Sequence, residues 1–511
     1  MQPKLTIVST ACKIFIAHHY SARARDWECE DPIAQTNRLP LGIDQIWRSL
    51  QADKKGGVLA LTSQRFQKLR TWTFRASVLG TSTIFTADEK NIQAILATQF
   101  NDFDIGPVRR GNFFPLLGNG IFTQDGHSWQ HSRALMRPQF AREQVSDLDL
   151  EERHVRNMIQ ILSPETGCWT NPVDLQPLFF RLTLDTATEF LFGYSVNSQL
   201  NDVNDASASR LANVPVNEKA FAAAFDFGSA TLATRLRFKD KYWMYNPAGF
   251  DAACKECHKF IDTFVSLAIS KQSASKAAKS GSERYVFLEA LAAETQDPIE
   301  LRSQLLHILL AGRDTTASLL SWLFYSLARD PRRYAKLRQI VLDKFGTHEN
   351  PTNITFETLK GCTYLRHCLN EALRLYPVVP LNTRQANKDT TLPRGGGKDG
   401  QGKIFVPKGM SVDYSVHVMH HRADIWGEDV EVFNPERWEG RKVGWEFLPF
   451  NGGPRICIGQ QFALTEASYV TVRLLQTFDR MECLETDLVP RHKLSLTSSS
   501  RNGVKVRLHV L

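Results

Sequence analysis

The sequence predicts a mainly α-helical protein with a minor β region. Long segments carry apolar residues at helical spacing, whereas the candidate strands are few and short. The predicted helices cover residues 86–100, 217–236, 251–271, 298–328, 331–345, 356–375 and 463–478. The predicted strands cover residues 80–85, 403–406 and 504–510.

Two stretches rich in small residues interrupt these elements. Residues 271–282 predict a flexible connection, and their shortness favours a surface loop between two helices over a domain linker. The glycine-rich stretch 395–402 predicts the turn of a hairpin, because a phosphate-binding loop should open a helix and none is predicted to follow. Neither stretch clearly divides the chain, so residues 39–511 are predicted to form a single domain.

The bulk composition excludes several classes of protein. The chain has 511 residues, of which 42% are hydrophobic, and a formal net charge of +8. This mild excess suits a solvated surface, an acidic protein partner or an anionic membrane, and no basic stripe favours nucleic acid. The nine scattered cysteines indicate a reducing compartment instead of a disulfide framework.

The N-terminal segment, residues 1–38, predicts at most a weak membrane anchor. Its apolar stretch 5–17 contains Lys13 and is followed by Arg23 and Arg25. It is shorter than the roughly 20 apolar residues that a spanning helix needs. A degraded anchor or an interfacial segment fits this pattern, so membrane association remains open.

The pattern F-x-x-G-x-R-x-C-x-G around Cys457 is the strongest chemical signal. A thiolate is a soft, electron-donating ligand that suits iron. Glycines at 452, 453 and 459 permit a tight loop around the sulfur, since glycine tolerates positive φ and close approach. A helix that begins after Gly459 directs its N-terminus at the thiolate and favours the negative charge.

A second signal lies within the predicted helix 298–328. Gly312 and the two threonines of Ala311–Thr316 are poor helix formers, and together they predict a local bulge. Asp314 and Thr315 form an acid–alcohol pair that is suited to proton transfer. The alternative is a polar cluster at a helix break.

With these motifs the chain resembles the cytochrome P450 family, so the expected fold is the cytochrome P450 fold, a helix-rich domain with small β-sheets around a buried heme. The resemblance implies a noncovalent heme b with Cys457 as the axial ligand of its iron. It also implies that Arg455 meets a heme propionate and that Phe450 shields the sulfur. Asp314 and Thr315 then deliver the protons that reduction of dioxygen consumes.

Three further motifs match the family. Glu371 and Arg374 form an E-x-x-R pair, which the family joins to a later arginine, here Arg437 of Phe433–Trp438. These three residues are expected to form a structural triad. Trp129 and Arg133 match the W-x-x-x-R motif of the family, which implies that both contact a heme propionate. Arg384, which follows the E-x-x-R pair, matches a third propionate-binding position of the family.

Segments throughout the chain are similar to fungal alkane- and fatty-acid-hydroxylating members of the family, including 95–103, 136–145, 391–397 and 450–469. The resemblance implies hydroxylation of a lipophilic aliphatic small molecule, or tailoring of a polyketide- or lipid-derived secondary metabolite. Pocket walls are expected at 105–122, 305–316, 378–382 and 497–500. An NADPH-dependent flavoprotein reductase should supply electrons, and the endoplasmic reticulum membrane is the expected location, on its cytosolic face. The hypothetical reductase contacts are Arg133, Arg137, Arg441 and Lys442.

Other classes of function remain open at this point. A heme-thiolate isomerase or dehydratase would need no dioxygen, which the Asp314–Thr315 pair argues against. A nonenzymatic heme sensor or electron carrier would not consume oxygen with substrate. A fourth alternative is a c-type cytochrome, because residues 254–258 read C-x-x-C-H, a covalent heme-attachment pattern. We favour ordinary helix residues there, because this single short pattern lies in an amphipathic run.

Overall fold

The computed structural model describes residues 23–141, 147–164, 167–200, 217–275 and 285–510. It contains two compact units, each assembled from separated parts of the chain. The first, here called the sheet unit, comprises Met1–Gly106, Pro380–Val430 and Lys442–Ile456. The second, the helical unit, comprises Pro107–Val379, Glu431–Arg441 and Cys457–Leu511. The apolar stretch 5–17 lies outside the described residues, and both its anchoring role and the single-domain assignment stay predictions.

The strands of the sheet unit are β1 (Ile33–Ala34), β2 (Thr73–Val78), β3 (Thr81–Thr86), β4 (Phe103–Asp104), β6 (Leu381–Ala386), β7 (Thr390–Gly396), β8 (Gly402–Val406) and β9 (Ser411–Ser415). Six of them form a mixed sheet with the order β1-β2-β3-β9-β6-β4. Antiparallel β7 and β8 form a separate hairpin with Gly396 opposite Gly402, which confirms the predicted glycine-rich turn.

Short helices accompany these strands. They are α1 (Ile43–Lys54), α2 (Val58–Leu69), α3 (Glu89–Gln93), α15 (Val416–His420) and α16 (Ala423–Trp426). The helix predicted for residues 86–100 begins only at Glu89, because the Asp88 side chain accepts hydrogen bonds from the backbone N–H groups of Lys90 and Asn91 and caps it there. A π-helical turn, Ala94–Thr98, continues α3.

The helical unit holds the long helices and two small sheets. Its helices are α4 (Pro107–Leu117), α5 (Gly126–Met136), α6 (Leu148–Leu162), α7 (Leu175–Phe192), α8 (Glu218–Leu236), α9 (Phe250–Ser275), α10 (Phe287–Glu294), α11 (Pro298–Ala328), α12 (Pro331–Phe345), α13 (Phe356–Lys360), α14 (Thr363–Leu375) and α17 (Gln460–Thr477). Its strands are β5 (Val173–Asp174), β10 (Phe478–Cys483), β11 (His492–Leu494), β12 (Ser498–Ser500) and β13 (Lys505–Val510). The predicted mainly helical class is confirmed.

Helix α11 is the centre of this unit. Pro298 occupies its first turn, and the Asp297 side chain accepts hydrogen bonds from the N–H groups of Ile299 and Glu300, which together define its start. Nearly all of its side chains are buried, as expected for a helix that is apolar on every face. Several of its hydroxyl groups donate hydrogen bonds to the backbone of the same helix, as when Ser321 donates to the Ala317 carbonyl.

Two further predicted elements differ from the structure. The helix predicted for residues 356–375 is two helices, because the chain turns at Gly361 and Cys362 between α13 and α14. The connection predicted for residues 271–282 is still helical up to Ser275, and residues 276–284 lie outside the described residues. Within the ranges that the structure describes, no helix is both long enough and apolar enough to span a bilayer.

Candidate active site

Cys457 stands at the start of the last helix of the helical unit. Its side chain is accessible, although many protein atoms surround the thiol. This desolvation raises the pKa of the Cys457 thiol, while a hydrogen bond from the Gly459 backbone N–H and the positive charge of Arg133 lower it. Because α17 begins at Gln460, its N-terminus also favours a thiolate. The residue therefore presents a sulfur that a metal ion would readily deprotonate.

In the sheet unit, a tightly bound loop leads up to this cysteine. Asn451 and Gly453 both have positive φ, at 63° and 66°. The Asn451 side-chain oxygen accepts a hydrogen bond from the Tyr414 hydroxyl at 3.0 Å, and its amide donates to the Arg455 carbonyl at 3.3 Å. A Cβ on Gly453 would stand 1.8 Å from the Leu96 carbonyl oxygen, so only glycine fits there.

The other two glycines of the motif do not have the positive φ that glycine permits, but Gly452 does show the predicted close approach. Gly452 is extended, with a φ of −149°, and Gly459 has a φ of −90°, so neither needs glycine for its backbone conformation. A Cβ on Gly452 would lie 2.7 Å from the Trp445 ring, so this glycine is needed for packing. At Gly459 a Cβ would make only an ordinary contact with Phe140 at 3.6 Å.

Three of the nominated cofactor residues belong to the sheet unit. Phe450 and Arg455 are half-buried in the loop, and Arg384 is buried on β6. The Arg384 guanidinium donates to the Thr383 carbonyl at 2.8 Å and lies 5.8 Å from the centre of the Tyr414 ring. These two contacts fix the direction of the Arg384 side chain.

Two more nominated residues, Trp129 and Arg133, belong to the helical unit and share one face of α5. The Arg133 guanidinium lies 5.9 Å from the centre of the buried Trp129 ring. Desolvation and the nearby Arg137 lower the pKa of Arg133, and the Cys457 sulfur opposes this effect. Arg133 therefore lies within electrostatic range of the candidate ligand.

One short patch of α11 is open. Within Ser303–Ala328, all of which the structure describes, only Ala311, Gly312 and Thr315 are not buried. Residues 311 and 315 are one turn apart, so they lie on the same face of the helix. The nearest atom to a Cβ built on Gly312 is the Ala187 Cβ at 3.8 Å, which leaves the glycine side of the patch uncrowded.

The backbone of this patch corrects one prediction. Helix α11 is continuous from Pro298 to Ala328, so the expected local bulge is not observed. The Thr315 hydroxyl instead donates to the Ala311 carbonyl at 2.6 Å within the regular helix. Asp314 is buried next to it, and desolvation raises the pKa of its carboxyl, whereas the adjacent Arg313 lowers it.

The structure brings Glu371, Arg374 and Arg437 together. Arg374 donates twice to the Glu371 carboxylate, through Nε at 3.0 Å and Nη2 at 2.9 Å. Arg437 Nε donates to the same carboxylate at 2.9 Å, and Trp438 Nε1 donates to it at 3.0 Å. Charge-assisted donors thus surround a carboxylate that is buried completely.

The segment that carries Arg437 is itself fixed by an ion pair. Glu436 accepts hydrogen bonds from Arg333, Lys336 and Tyr364 on α12 and α14, at 2.8–2.9 Å. Although desolvation raises its pKa, these donors outweigh it and lower the pKa of Glu436 to about 2. Glu436 and Trp438, the two chain neighbours of Arg437, are therefore both held by hydrogen bonds, which fix the position of Arg437.

The C-x-x-C-H pattern lies inside α9. Cys254 and Cys257 are buried, and desolvation raises the pKa of each thiol to about 12. The His258 Nε2 atom donates a hydrogen bond to the Leu116 carbonyl at 2.9 Å. Buried, protonated thiols in a regular helix have the environment of ordinary core residues.

His307 is a residue that sequence reasoning missed. It is completely buried on α11, and burial lowers its pKa to about 3, so the ring is neutral. Its Nδ1 accepts a hydrogen bond from the Phe122 N–H at 3.2 Å. A Cβ on Gly120 would lie 2.6 Å from the ring. His307 thus fixes the loop after α4, in a predicted pocket wall, although a single histidine on an apolar helix gives no such signal in the sequence.

Another predicted wall, residues 497–500, is anchored on the same helix. The Ser498 carbonyl on β12 accepts a hydrogen bond from Trp322 Nε1 at 3.2 Å and another from the Ser318 hydroxyl. The Ser498 N–H donates to the Val378 carbonyl at 2.9 Å. Residues 305–316, 378 and 497–500 are therefore held in one framework of the helical unit.

A buried pair of acids, Glu151 and Glu466, was also missed. Glu151 is on α6, and Glu466 is on the helix that follows Cys457. Desolvation raises the pKa of Glu466 to about 8, although hydrogen bonds with the Thr316 and Thr186 hydroxyls lower it. Desolvation and the negative charge of Glu466 raise the pKa of Glu151. Glu151 and Glu466 are 315 positions apart in the sequence (466 minus 151), so no local pattern could pair them.

Comparisons with known proteins identify the family of the chain. The family model described as Cytochrome P450 matches residues 38–506. Cytochrome P450 monooxygenase g430 from Fusarium sp is 60% identical over 497 residues, which cover 96% of this chain and 86% of that protein. Cytochrome P450 monooxygenase alt2 from Alternaria solani is 46% identical and covers 91% of this chain and 88% of its own length. Cytochrome P450 52A12 from Debaryomyces hansenii is 45% identical, with coverages of 94% and 92%.

A cysteine sulfur at the N-terminus of a helix suits a protein that holds its cofactor through a thiolate ligand. The chain belongs to the cytochrome P450 family, and it is a monooxygenase. Family membership implies a heme iron with a cysteine thiolate ligand, and a redox partner that supplies electrons. The accessible Cys457 thiol, the hydrogen bond from the Gly459 N–H and the basic residue within range fit such a group.

Proposed function

We propose that this monooxygenase hydroxylates a lipophilic aliphatic substrate, such as a fatty acid or an alkane, with Cys457 as the thiolate ligand of heme b. When bound, the heme activates dioxygen so that one oxygen atom enters a C–H bond and the other leaves as water. The overall reaction consumes two electrons and two protons. The residues of the chain bind the cofactor, exclude water and supply the protons.

The observation that carries this proposal is the open patch Ala311, Gly312 and Thr315 in the otherwise buried stretch Ser303–Ala328 of α11. A small apolar residue, a glycine and a threonine leave room for a diatomic molecule next to a hydroxyl. The Thr315 hydroxyl holds its proton toward the Ala311 carbonyl and can release it by rotation about χ1. The buried Asp314 carboxyl, whose pKa is raised by desolvation, can take up and pass on protons at its Oδ1 atom.

The basic residues account for cofactor binding. Arg133, Arg384 and Arg455, with Trp129, would hold the two propionates, since guanidinium groups bind carboxylates in a bidentate manner. Phe450 would shield the sulfur from water. The triad of Glu371, Arg374 and Arg437 would support the cofactor pocket without contacting the reacting atoms.

The substrate class follows from the apolar character of the proposed walls. Val378 is buried, and Val379 and Leu381 expose apolar surface, which suits an unactivated C–H bond. A second candidate is the tailoring of a polyketide- or lipid-derived secondary metabolite, because the same apolar walls would also accept such a molecule. Electrons would come from an NADPH-dependent flavoprotein reductase at the endoplasmic reticulum membrane.

The thiolate assignment is tested by absorbance spectroscopy of the reduced, carbon-monoxide-treated protein. The parent and Cys168→Ser, which changes another exposed cysteine of the helical unit, should give the red-shifted band of thiolate ligation. Cys457→Ser should lose that band. A Cys457→Ser protein that kept both the band and the activity would refute the assignment.

The substrate class is tested by titrating the ferric protein with fatty acids, alkanes and aromatic polyketides. A spectral shift with the aliphatic compounds, followed by oxygen consumption and alcohol formation, supports the first proposal. A shift with aromatic polyketides alone supports the second. Turnover with an acidic reductase should weaken as salt is raised, and salt-independent turnover would contradict docking through Arg133, Arg137, Arg441 and Lys442.

A further inference from the structure

Arg313 on α11 is a buried cation with two acidic neighbours. Its guanidinium forms an ion pair with Asp226 of α8, and its Nη1 atom lies 3.6 Å from the Asp314 Oδ1 atom. Its carbonyl accepts a hydrogen bond from the Thr183 hydroxyl of α7 at 2.8 Å, which fixes the backbone at this point. A buried guanidinium needs an anionic partner, so the two acids compete for it.

The competition favours the exposed acid. The Asp226 side chain is 60% accessible, whereas that of Asp314 is 8% accessible. Arg313 donates a hydrogen bond to Asp226, but 3.6 Å is too long for one to Asp314. Among the residues that the structure describes, no group donates to Asp314 Oδ1.

The aromatic rings around Arg313 limit the directions that it can take. The guanidinium carbon lies 5.8 Å from the centre of the Phe180 ring and 5.9 Å from that of Phe225. Phe225 precedes Asp226 on α8, so this helix supplies both a ring and the carboxylate that hold the cation.

The charge balance at Asp314 depends on where that cation points. Desolvation raises the pKa of the Asp314 carboxyl, Arg313 lowers it, Asp226 raises it and Lys493 of β11 lowers it. An acid that delivers a proton must first hold one, so a complete ion pair with Arg313 would oppose that role.

We propose that Asp226 is a positioning residue for proton delivery: it draws the Arg313 guanidinium away from Asp314 and so leaves the Asp314 carboxyl able to take up a proton. This inference rests on the role proposed above for Asp314. As a positioning residue, Asp226 would act only through Arg313 and would contact neither the substrate nor the cofactor. Because Asp226 is carried by α8, a displacement of that helix would change the proton affinity of Asp314.

The test is an infrared pH titration of the heme-loaded full chain. The band of the protonated Asp314 carboxyl is identified by its loss in Asp314→Asn. In Asp226→Asn, Arg313 should turn to Asp314, and the midpoint should fall by roughly half a pH unit or more. Asp226→Glu, which keeps the charge, should restore the midpoint of the parent. An unchanged or raised midpoint in Asp226→Asn would overturn the proposal.

Asp262→Asn is the matched control. Asp262 of α9 pairs with Arg302 of α11 at 2.8 Å, about three helical turns before Arg313, and its side chain is 41% accessible. Its loss removes a comparable link between α11 and a neighbouring helix and should leave the Asp314 midpoint unchanged. An equal shift in this control would mean that the Asp226 effect is only a general loosening of the helix.

A double-mutant cycle on the free energy of unfolding tests the same competition without the cofactor chemistry. Asp226→Asn should destabilise the Asp314→Asn protein more than the parent, because in the parent Arg313 can turn to Asp314. Additive effects would overturn the proposal. If instead the proposed role of Asp314 in proton delivery is wrong, a different result is expected. The midpoint then shifts as described, but Asp314→Asn leaves the ratio of product to hydrogen peroxide unchanged.

Discussion

Two regions of the helical unit bury charge in opposite ways. Around Glu371, every charged group has a charged partner at hydrogen-bond distance, and the side chains of Glu371 and Arg374 are completely inaccessible. Around Asp314, the nearest cation stays 3.6 Å away, and the pKa of the carboxyl is raised by desolvation. A saturated cluster has a single stable state, whereas an undersaturated one can gain or lose a proton. The first arrangement suits support, and the second suits chemistry.

The largest expected effect comes from breaking the saturated cluster. Glu371→Ala leaves the guanidinium groups of Arg374 and Arg437 buried without their carboxylate, so it should destabilise the protein by about 3–5 kcal/mol. Denaturant unfolding of the heme-loaded protein measures this loss. Asp487→Ala is the control, because its pair with Arg491 is exposed and should contribute little to stability. A loss at Glu371 no larger than that of the control would remove the contrast between the two regions.

A smaller effect, on chemistry and not on folding, is expected at Thr315. Thr315→Ala removes a hydroxyl that bonds only its own helix, so stability should change little. Product formed per electron should fall by about 10- to 100-fold, because a positioned proton donor is lost. The measurement is the ratio of alcohol to hydrogen peroxide, and Thr315→Ser is the control that keeps the hydroxyl. Unchanged coupling in the alanine variant would exclude the relay.

The smallest of the three effects concerns the buried acid Glu466. Its pKa rises from an ordinary value of 4.5 to about 8 on folding. Between these values the unfolded chain has lost the proton while the folded chain keeps it, so stability falls as pH rises through this window and levels off above it. Glu466→Gln removes this cost and should be more stable than the parent at pH 8, with little difference near pH 5.

Unfolding curves at several pH values check that prediction. Glu439→Gln serves as the control, because Glu439 is exposed and its replacement should leave the pH dependence of the parent unchanged. A Glu466→Gln protein whose advantage did not grow from pH 5 to pH 8 would show that Glu466 is ionised in the fold. Glu466 would then belong with the saturated charges and not with the undersaturated ones.

Local signals in the sequence predicted much of the fold. The bounds of α11 and α12 agree with their predictions, because Pro298 and Pro331 mark their starts and an aspartate caps each. The short strands of the sheet unit were mostly missed. For example, β6 and β9 pair with each other, and their stability depends on partners that are distant in the sequence. The break at Gly361 was missed because the apolar spacing continues across it.

The candidate site was predictable where its residues form motifs. Cys457, the Glu371–Arg374 pair and the Asp314–Thr315 pair are each contiguous or one turn apart. Asp226 was not predictable, because it is 87 residues from Arg313 and becomes its partner only when α8 packs near α11. Glu151 and Glu466 were missed for the same reason, since burial that shifts a pKa is a tertiary property.

The interleaving of the two units has a consequence for biosynthesis. The sheet unit needs the segment that ends at Ile456, and the helical unit needs the one that starts at Cys457. Neither unit can therefore close on the ribosome until the chain around Ile456 and Cys457 has emerged, so the candidate thiolate is made long after the first strands and helices of both units. During that interval the apolar faces of the early helices are uncovered, so expression of this enzyme should depend on chaperone capacity and translation speed.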